Sequence, residues 1–283
     1  MDGILDCDTR YPLLLVHGIG FHDHWNRVLP IYWGRIPAAL EKRGARIFYG
    51  HQDSWATIEH NADIVKESLL KALAESNSEK VNIIAHSKGG LDTRYMISTL
   101  GMADKVASLT TLGSPHHGSK TIDLLCGLPR WMFRFCAFFV DLGSRILGDS
   151  KPDFYRASRR FSTRSMEAFN GQNPDAPSVY YQSYAASMKS PLTDLFLMIP
   201  YLFVKRADGE SDGLVTLESA AWADFKGTLG RTVRRGVSHT DLVDIRRRNH
   251  QVTLAAKGCE TVTYKDIGEF FEALVSDLKR RGF

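Results

Sequence analysis

The segment Val81-Asn82-Ile83-Ile84-Ala85-His86-Ser87-Lys88-Gly89-Gly90-Leu91 constrains this chain more than any other. A β-branched apolar run feeds a serine that has Ala85 two residues before it and Gly89 two residues after it, and a helical pattern follows at once. A strand that turns into a helix through a single residue leaves no room for large side chains at those two positions. The apex residue is then held in strained backbone, and its side chain is pushed out above the sheet, where a base can reach it. A small-x-Ser-x-Gly string alone is common in loops. Flanked by strand and helix, and followed in order by other motifs, it becomes a specific signal.

The rest of the chain supplies that context. Residues 12–16 form a short apolar run ending at His17-Gly18-Ile19-Gly20, the pattern of a buried strand meeting a turn. Residues 36–42 suggest a short helix stopped by Gly44, and residues 45–49 a second strand. From 57 to 76, Ile58, Ala62, Val65, Leu69 and Leu73 recur at helical spacing. Residues 81–85 are the strand before the serine, 91–100 a helix closed by Gly101 as C′ cap, and 106–112 another buried strand. Strands alternating with helices predict a mostly parallel sheet covered on both faces. The rhythm then breaks: 124–171 carry no strand signal, a strand returns at 179–184, and a second apolar insert runs from 192 to 204. A last helix is expected over 266–280, with Ile267, Phe271, Leu274 and Leu278 on one face. The chain reads as one catalytic domain, 1–283, with helical insertions at about 120–172 and 187–204.

A serine hydroxyl needs a base within hydrogen-bond reach, itself oriented by a third group. Where the serine sits on such a turn, the partners follow in the order serine, acid, histidine. Of ten histidines, only His239 and His250 lie after an acid loop; His239 stands before a helical pattern, and His250 follows three arginines and is expected on the surface. Asp208 and Asp212 both precede glycine, and Asp212 lies in a polar turn between apolar runs, which favours it as the acid even though Asp-Gly is an ordinary turn sequence. Asp241 is too close in sequence to His239 to face it. The oxyanion of an acyl-transfer intermediate needs preorganised donors, here expected from the backbone N–H groups of Lys88 and Ile19. His17 and His86 are expected to brace the two turns rather than react. His116-His117, His22 and His24 lack partners at metal-ligand spacing.

Composition removes other classes. Net charge is only +4, so nucleic acid is not an expected partner, and the clusters Arg246-Arg247-Arg248 and Lys279-Arg280-Arg281 read as solvated helix surface. The cysteines Cys7, Cys126, Cys136 and Cys259 are scattered. No stretch approaches the length of a membrane span. The acidic first eight residues contain no apolar leader, an expectation of a cytoplasmic protein, or of a secreted one if a leader was removed.

Taken together, Tyr11-Pro12-Leu13-Leu14-Leu15-Val16-His17-Gly18, Ala85 to Tyr95 around Ser87, Thr110 to Ser119, Asp212-Gly213-Leu214-Val215 and His239-Thr240-Asp241 resemble the bacterial true lipases of the α/β-hydrolase superfamily, and more particularly its shorter, leaderless esterase/lipases. The resemblance implies an α/β-hydrolase fold and carboxylic-ester hydrolysis through an acyl-enzyme on Ser87, with Asp212 as acid and His239 as base; the two apolar inserts either form a helical lid over Ser87 or pack on the sheet. No cofactor is implied for catalysis. A structural calcium is implied near the histidine loop, with Asp241 as one ligand and Asp194 as a loosely placed second carboxylate. Trp131, Phe135, Phe138 and Phe139 are expected to meet the acyl chain, which favours acylglycerols or other medium- to long-chain esters, taken from a lipid interface. An acyltransferase or a thioesterase would use the same three residues. A non-catalytic scaffold or a metallohydrolase built on the histidine pairs explains fewer of the motifs.

Overall fold

The apolar runs become strands because both of their faces find cover. The computed structural model describes residues 5–20, 23, 31–127 and 129–283. Among the described residues, eight strands form one sheet: β1 (Leu13–Val16), β2 (Ile47–Tyr49), β3 (Val81–His86), β4 (Val106–Leu112), β5 (Tyr180–Ala186), β6 (Asp224–Leu229), β7 (Val252–Ala255) and β8 (Val262–Tyr264). Their spatial order is β2-β1-β3-β4-β5-β6-β7-β8, parallel from β2 through β6, with β7 and β8 added antiparallel at one edge. Alternate residues serve opposite cores: Leu13 and Leu15 of β1 join one cluster, Leu14 and Val16 the other. This is why the sequence shows an unbroken apolar run instead of an alternating one.

One face is covered by α1 (Ile36–Glu41) and α10 (Ile267–Arg280), whose Ile36, Leu40, Phe270, Phe271 and Leu274 pack in the first core. The other is covered by α2 (Ile58–Ser76) and α3 (Lys88–Ser98), through Ala62, Val65, Leu69, Met96 and Ile97. The Thr57 hydroxyl caps α2 by accepting from His60 N–H, and Asp266 caps α10 by accepting from Glu269 N–H. Helix α3 begins at Lys88, directly after the serine, rather than at residue 91, and ends at Ser98; Gly101, with φ +67°, lies beyond the cap residue Thr99. Helices α4 (Lys120–Cys126), α5 (Arg130–Leu147), α6 (Phe154–Arg160) and α7 (Thr163–Gln172) occupy the crossover from β4 to β5. Helices α8 (Met198–Ala207) and α9 (Leu217–Ala220) occupy that from β5 to β6. Among the described residues, no helix is long and apolar enough to cross a membrane.

Candidate active site

Ser87 sits at the carboxyl end of β3 with φ 56° and ψ −130°, in the left-handed region that non-glycine residues avoid. Its N–H donates to Leu112 C=O at 3.0 Å, and its own C=O accepts from Gly90 N–H at 3.1 Å, so the strained turn is pinned on both sides. The small-residue rule has a visible cause. A Cβ at Gly89 would lie 2.3 Å from His17 C=O, and one at Gly18 would lie 2.6 Å from Ser87 Cβ. The turn after β1, which carries Ile19, therefore touches the turn that carries Ser87 and Lys88.

Asp212 and His239 arrive from the crossover before β6 and from the loop after it. His239 Nδ1 meets Asp212 Oδ2 at 2.7 Å, and His239 N–H donates to Asp212 C=O at 2.9 Å. The other carboxylate oxygen, Oδ1, accepts from Leu214 N–H at 3.0 Å and Val215 N–H at 2.8 Å. One oxygen thus builds the turn and the other orients the ring. Asp212 is fully buried, and His239 Nε2 is buried without a hydrogen-bond partner among the described residues. A Cβ at Gly113, the residue after β4, would lie 2.9 Å from Asp212 Oδ2 and 3.3 Å from His239 Nδ1, so β4 ends against the pair just as Leu112 holds Ser87.

The flanking groups are braces. Gly18 N–H donates to the Tyr32 hydroxyl at 2.8 Å, and that hydroxyl meets His86 Nδ1 at 2.6 Å. Burial, reinforced by His239, pushes His86 far below the usual histidine range, so its ring is neutral; its centroid lies 4.3 Å from that of His239. His17 Nδ1 meets Gly18 C=O at 2.7 Å. Lys88 Nζ reaches both Asp92 oxygens, at 2.8 and 2.9 Å, in a buried ion pair that commits its side chain away from acid–base chemistry. Burial raises the Asp92 carboxyl, while Lys88 pulls it down. His116 is buried against Thr111 Oγ1 (3.0 Å) and stacked on Trp222. Asp208, the other Asp-Gly aspartate, accepts from Lys120 and Thr121 N–H and caps α4. His250 differs from expectation: it is half-buried, and burial lowers its pKa. His22 and His24 lie outside the described residues. Tyr32 carries no sequence motif that would have singled it out.

Asp194 and Asp241 are both drawn to the histidine loop, yet the pair does not fit calcium. Asp194 Oδ2 accepts from Ser238 Oγ (2.9 Å) and Thr240 Oγ1, and Oδ1 accepts from Phe196 N–H (3.0 Å) and pairs with Arg246 Nη1 (2.7 Å). Arg246 is therefore not solvated surface, as its run of arginines suggested. Among the described residues no group of three or more His, Cys, Asp or Glu is arranged to hold a metal. Trp131, Phe135, Phe138 and Phe139 stand on an exposed face of α5, Trp131 at 72% exposure, and Phe196, Ile199 and Phe203 are exposed at and before α8.

Residues 12–184, more than half of the chain, match the family model described as palmitoyl protein thioesterase. Triacylglycerol lipase 2 of Saccharomyces cerevisiae is 29% identical over 89% of this chain and 74% of its own. A triacylglycerol lipase of Pseudarthrobacter phenanthrenivorans is 36% identical over 59% of this chain, which spans only 55% of that enzyme's length. Staphylococcus hyicus lipase superposes with a TM-score of 0.67 over 96% of this chain and 97% of its own, at 16% identity, a likeness of fold. The chain belongs to the palmitoyl protein thioesterase family and, with its lipase relatives, to the carboxylic ester hydrolases of the α/β-hydrolase superfamily.

Proposed function

We propose that this chain hydrolyses medium- to long-chain acyl esters, acylglycerols among them, through an acyl-enzyme on Ser87, with His239 as base and Asp212 as its orienting acid. The observation that carries this reading is the buried 2.7 Å contact between His239 Nδ1 and Asp212 Oδ2, with Nε2 left unpartnered beside the strained Ser87 turn. His239 Nε2 takes the Ser87 proton as Oγ bonds to the ester carbonyl carbon. The resulting oxyanion is held by the N–H groups of Lys88 and Ile19. Collapse expels the alcohol, which takes the proton from His239, and water then repeats the sequence to release the acid. The neutral His86 ring adds no second positive charge beside the imidazolium that forms.

The apolar faces of α5 and α8 support long acyl chains and a lipid interface, with both segments serving as lid insertions of a single catalytic domain. A series of p-nitrophenyl esters is expected to show rates rising from acetate toward octanoate and beyond, above and below substrate solubility. Ser87→Ala should lower kcat on the order of 10⁶-fold and abolish fluorophosphonate labelling. A steady fall with chain length would replace this substrate class with short esters, and labelling that survives Ser87→Ala would remove the nucleophile assignment. The family description favours one second reading, a thioesterase that uses the same acyl-enzyme on an S-acyl substrate. Comparing oxygen and sulfur esters of one acyl chain separates the two.

A further inference from the structure

Three arginines converge on one carbonyl beside the histidine loop. Arg235 Nη2 donates to Thr193 C=O at 2.6 Å, Arg248 Nη1 at 3.1 Å and Arg246 Nη1 at 3.3 Å. The next residue, Asp194, is fully buried, and its Oδ1 holds Arg246 Nη1 at 2.7 Å. Its Oδ2 accepts the hydroxyls of Ser238 and Thr240, the residues immediately before and after His239. Ser238 also donates its N–H to Asp241 Oδ2 at 3.3 Å and accepts from Asp241 N–H at 3.2 Å, and Arg235 Nη2 stands 3.8 Å from the same carboxylate. The main chain on both sides of the imidazole is thus anchored to two carboxylates, and positive charge next to them is supplied by guanidinium groups.

We propose that Arg246, backed by Arg235 and Arg248, is a positioning residue that takes the structural place of a divalent cation: an internal cation that holds the His239 loop in register through Asp194. The chemistry supports it. A guanidinium presents several N–H donors in one plane and bridges a carboxylate and a carbonyl at once, whereas lysine offers a compact point charge. The Asp194 oxygens are already committed to that guanidinium, two hydroxyls and a backbone N–H, so a metal would have to displace Arg246 to bind. Asp194 also accepts from Phe196 N–H at the root of α8, which joins the loop carrying His239 to the exposed apolar helix. Arg246 therefore acts at a distance from the reacting atoms, through the orientation of the ring.

This inference rests on His239 being the base, and the experiment separates the two. With a soluble p-nitrophenyl ester, EDTA and millimolar calcium should leave wild-type kcat and melting temperature unchanged. Arg246→Ala should lower kcat on the order of 100-fold, the effect of a misplaced catalytic group, with KM within about twofold. Millimolar guanidinium should restore a large part of that loss, and Arg246→Lys should fall between wild type and Arg246→Ala. Wild-type activity or melting temperature lost in EDTA and regained with calcium would overturn the inference. So would an Arg246→Ala enzyme with wild-type kcat, or one whose deficit guanidinium leaves untouched. Should Arg246→Ala fail to fold, Arg246→Lys carries the test, since a kcat equal to wild type would show that the planar fork is not needed. If His239→Ala retains activity, the reading of the site fails instead, whatever Arg246 does.

Discussion

Gly18 stands where two turns meet, and its missing side chain is what lets them meet. A Cβ there would lie 2.6 Å from Ser87 Cβ and 2.7 Å from the Tyr32 hydroxyl, closer than real carbon contacts come. Neither neighbour can give way at low cost. Ser87 is fixed by its bond to Leu112, and Tyr32 by Gly18 N–H on one side and His86 Nδ1 on the other. Gly18→Ala should therefore cost about 1–3 kcal/mol of stability through overpacking. It should also lower kcat on a soluble ester on the order of 100-fold, because a shift of the serine by an ångström spoils its attack geometry. Urea unfolding and steady-state kinetics on the same preparation check both, and a variant with wild-type turnover would show that the two turns can separate without consequence. At this scale the serine turn was legible because its steric demand falls on residues close in sequence, Ala85 and Gly89, while Gly18 was visible only as part of its own turn after an apolar run. Tyr32 and Arg246 were not, because their partners, His86 and Asp194, lie 54 and 52 positions away and no local rule links such pairs.

Helices α5 and α8 differ from the other helices in what they leave uncovered. Phe135, Phe138 and Phe139 stack edge to face on the outer side of α5, with centroids 5.1 and 5.5 Å apart, and Ile146 is 79% exposed. Contiguous apolar surface of this kind marks a binding face on a soluble protein. Both segments are moored at their ends. Asp208, after α8, accepts from Lys120 and Thr121 at the start of α4, and Asp149, just after α5, accepts from Ser54 and Trp55 N–H at 2.8 and 2.9 Å. Replacing Phe138 and Phe139 together by serine should leave hydrolysis of a soluble short ester within about twofold, since neither residue enters the chemistry. The same variant should lose most of its activity on an emulsified long-chain ester. Equal losses on both substrates would assign the two rings to packing. The inserts were legible as a break in the strand rhythm, without a periodicity to bound their helices, and β1, β3 and β4 were legible as apolar runs set by burial on two faces. The last three strands, β6, β7 and β8, were not. β8 is three residues long with Val262 and Thr263 exposed, and β6 begins with the exposed Asp224 and Phe225. Pairings such as Thr228 with Ala255 and Leu229 with Leu254 impose their strand form, and those are long-range.

As a whole, the molecule uses its sheet to gather the loops after β3, β5 and β6 at its carboxyl end, and histidines buried there give it a pH signature. His86, at the end of β3, faces His239 and His17; His116, after β4, faces Arg94 and His117. Burial first, and those neighbours second, push both far below the ordinary value of 6.5. Each stays neutral in the folded protein while the unfolded chain takes up a proton near 6.5, so folding is opposed as pH falls below that value. Each contributes a loss of about 1.4 kcal/mol per pH unit, fully developed by about pH 5.5 and continuing until the folded-state value is reached. Carboxylates lowered by folding, Asp53, Asp194 and Glu210 among them, begin to lose their contribution only as pH falls toward their ordinary values of 3.8 and 4.5, below the pH at which the histidine effect sets in. Urea unfolding between pH 7.5 and 5 should therefore show stability falling toward acid, with His86 and His116 together contributing a slope of about 3 kcal/mol per unit, the uptake of nearly two protons, and His250 adding in the same direction. His116→Asn should remove about half of that slope and leave ester hydrolysis near wild type, because His116 touches Thr111, Trp222 and Arg94 and not the Ser87 turn. Stability that stays level between pH 6.5 and 5 would mean that these rings take up protons in the folded state, and that water reaches the base of the site.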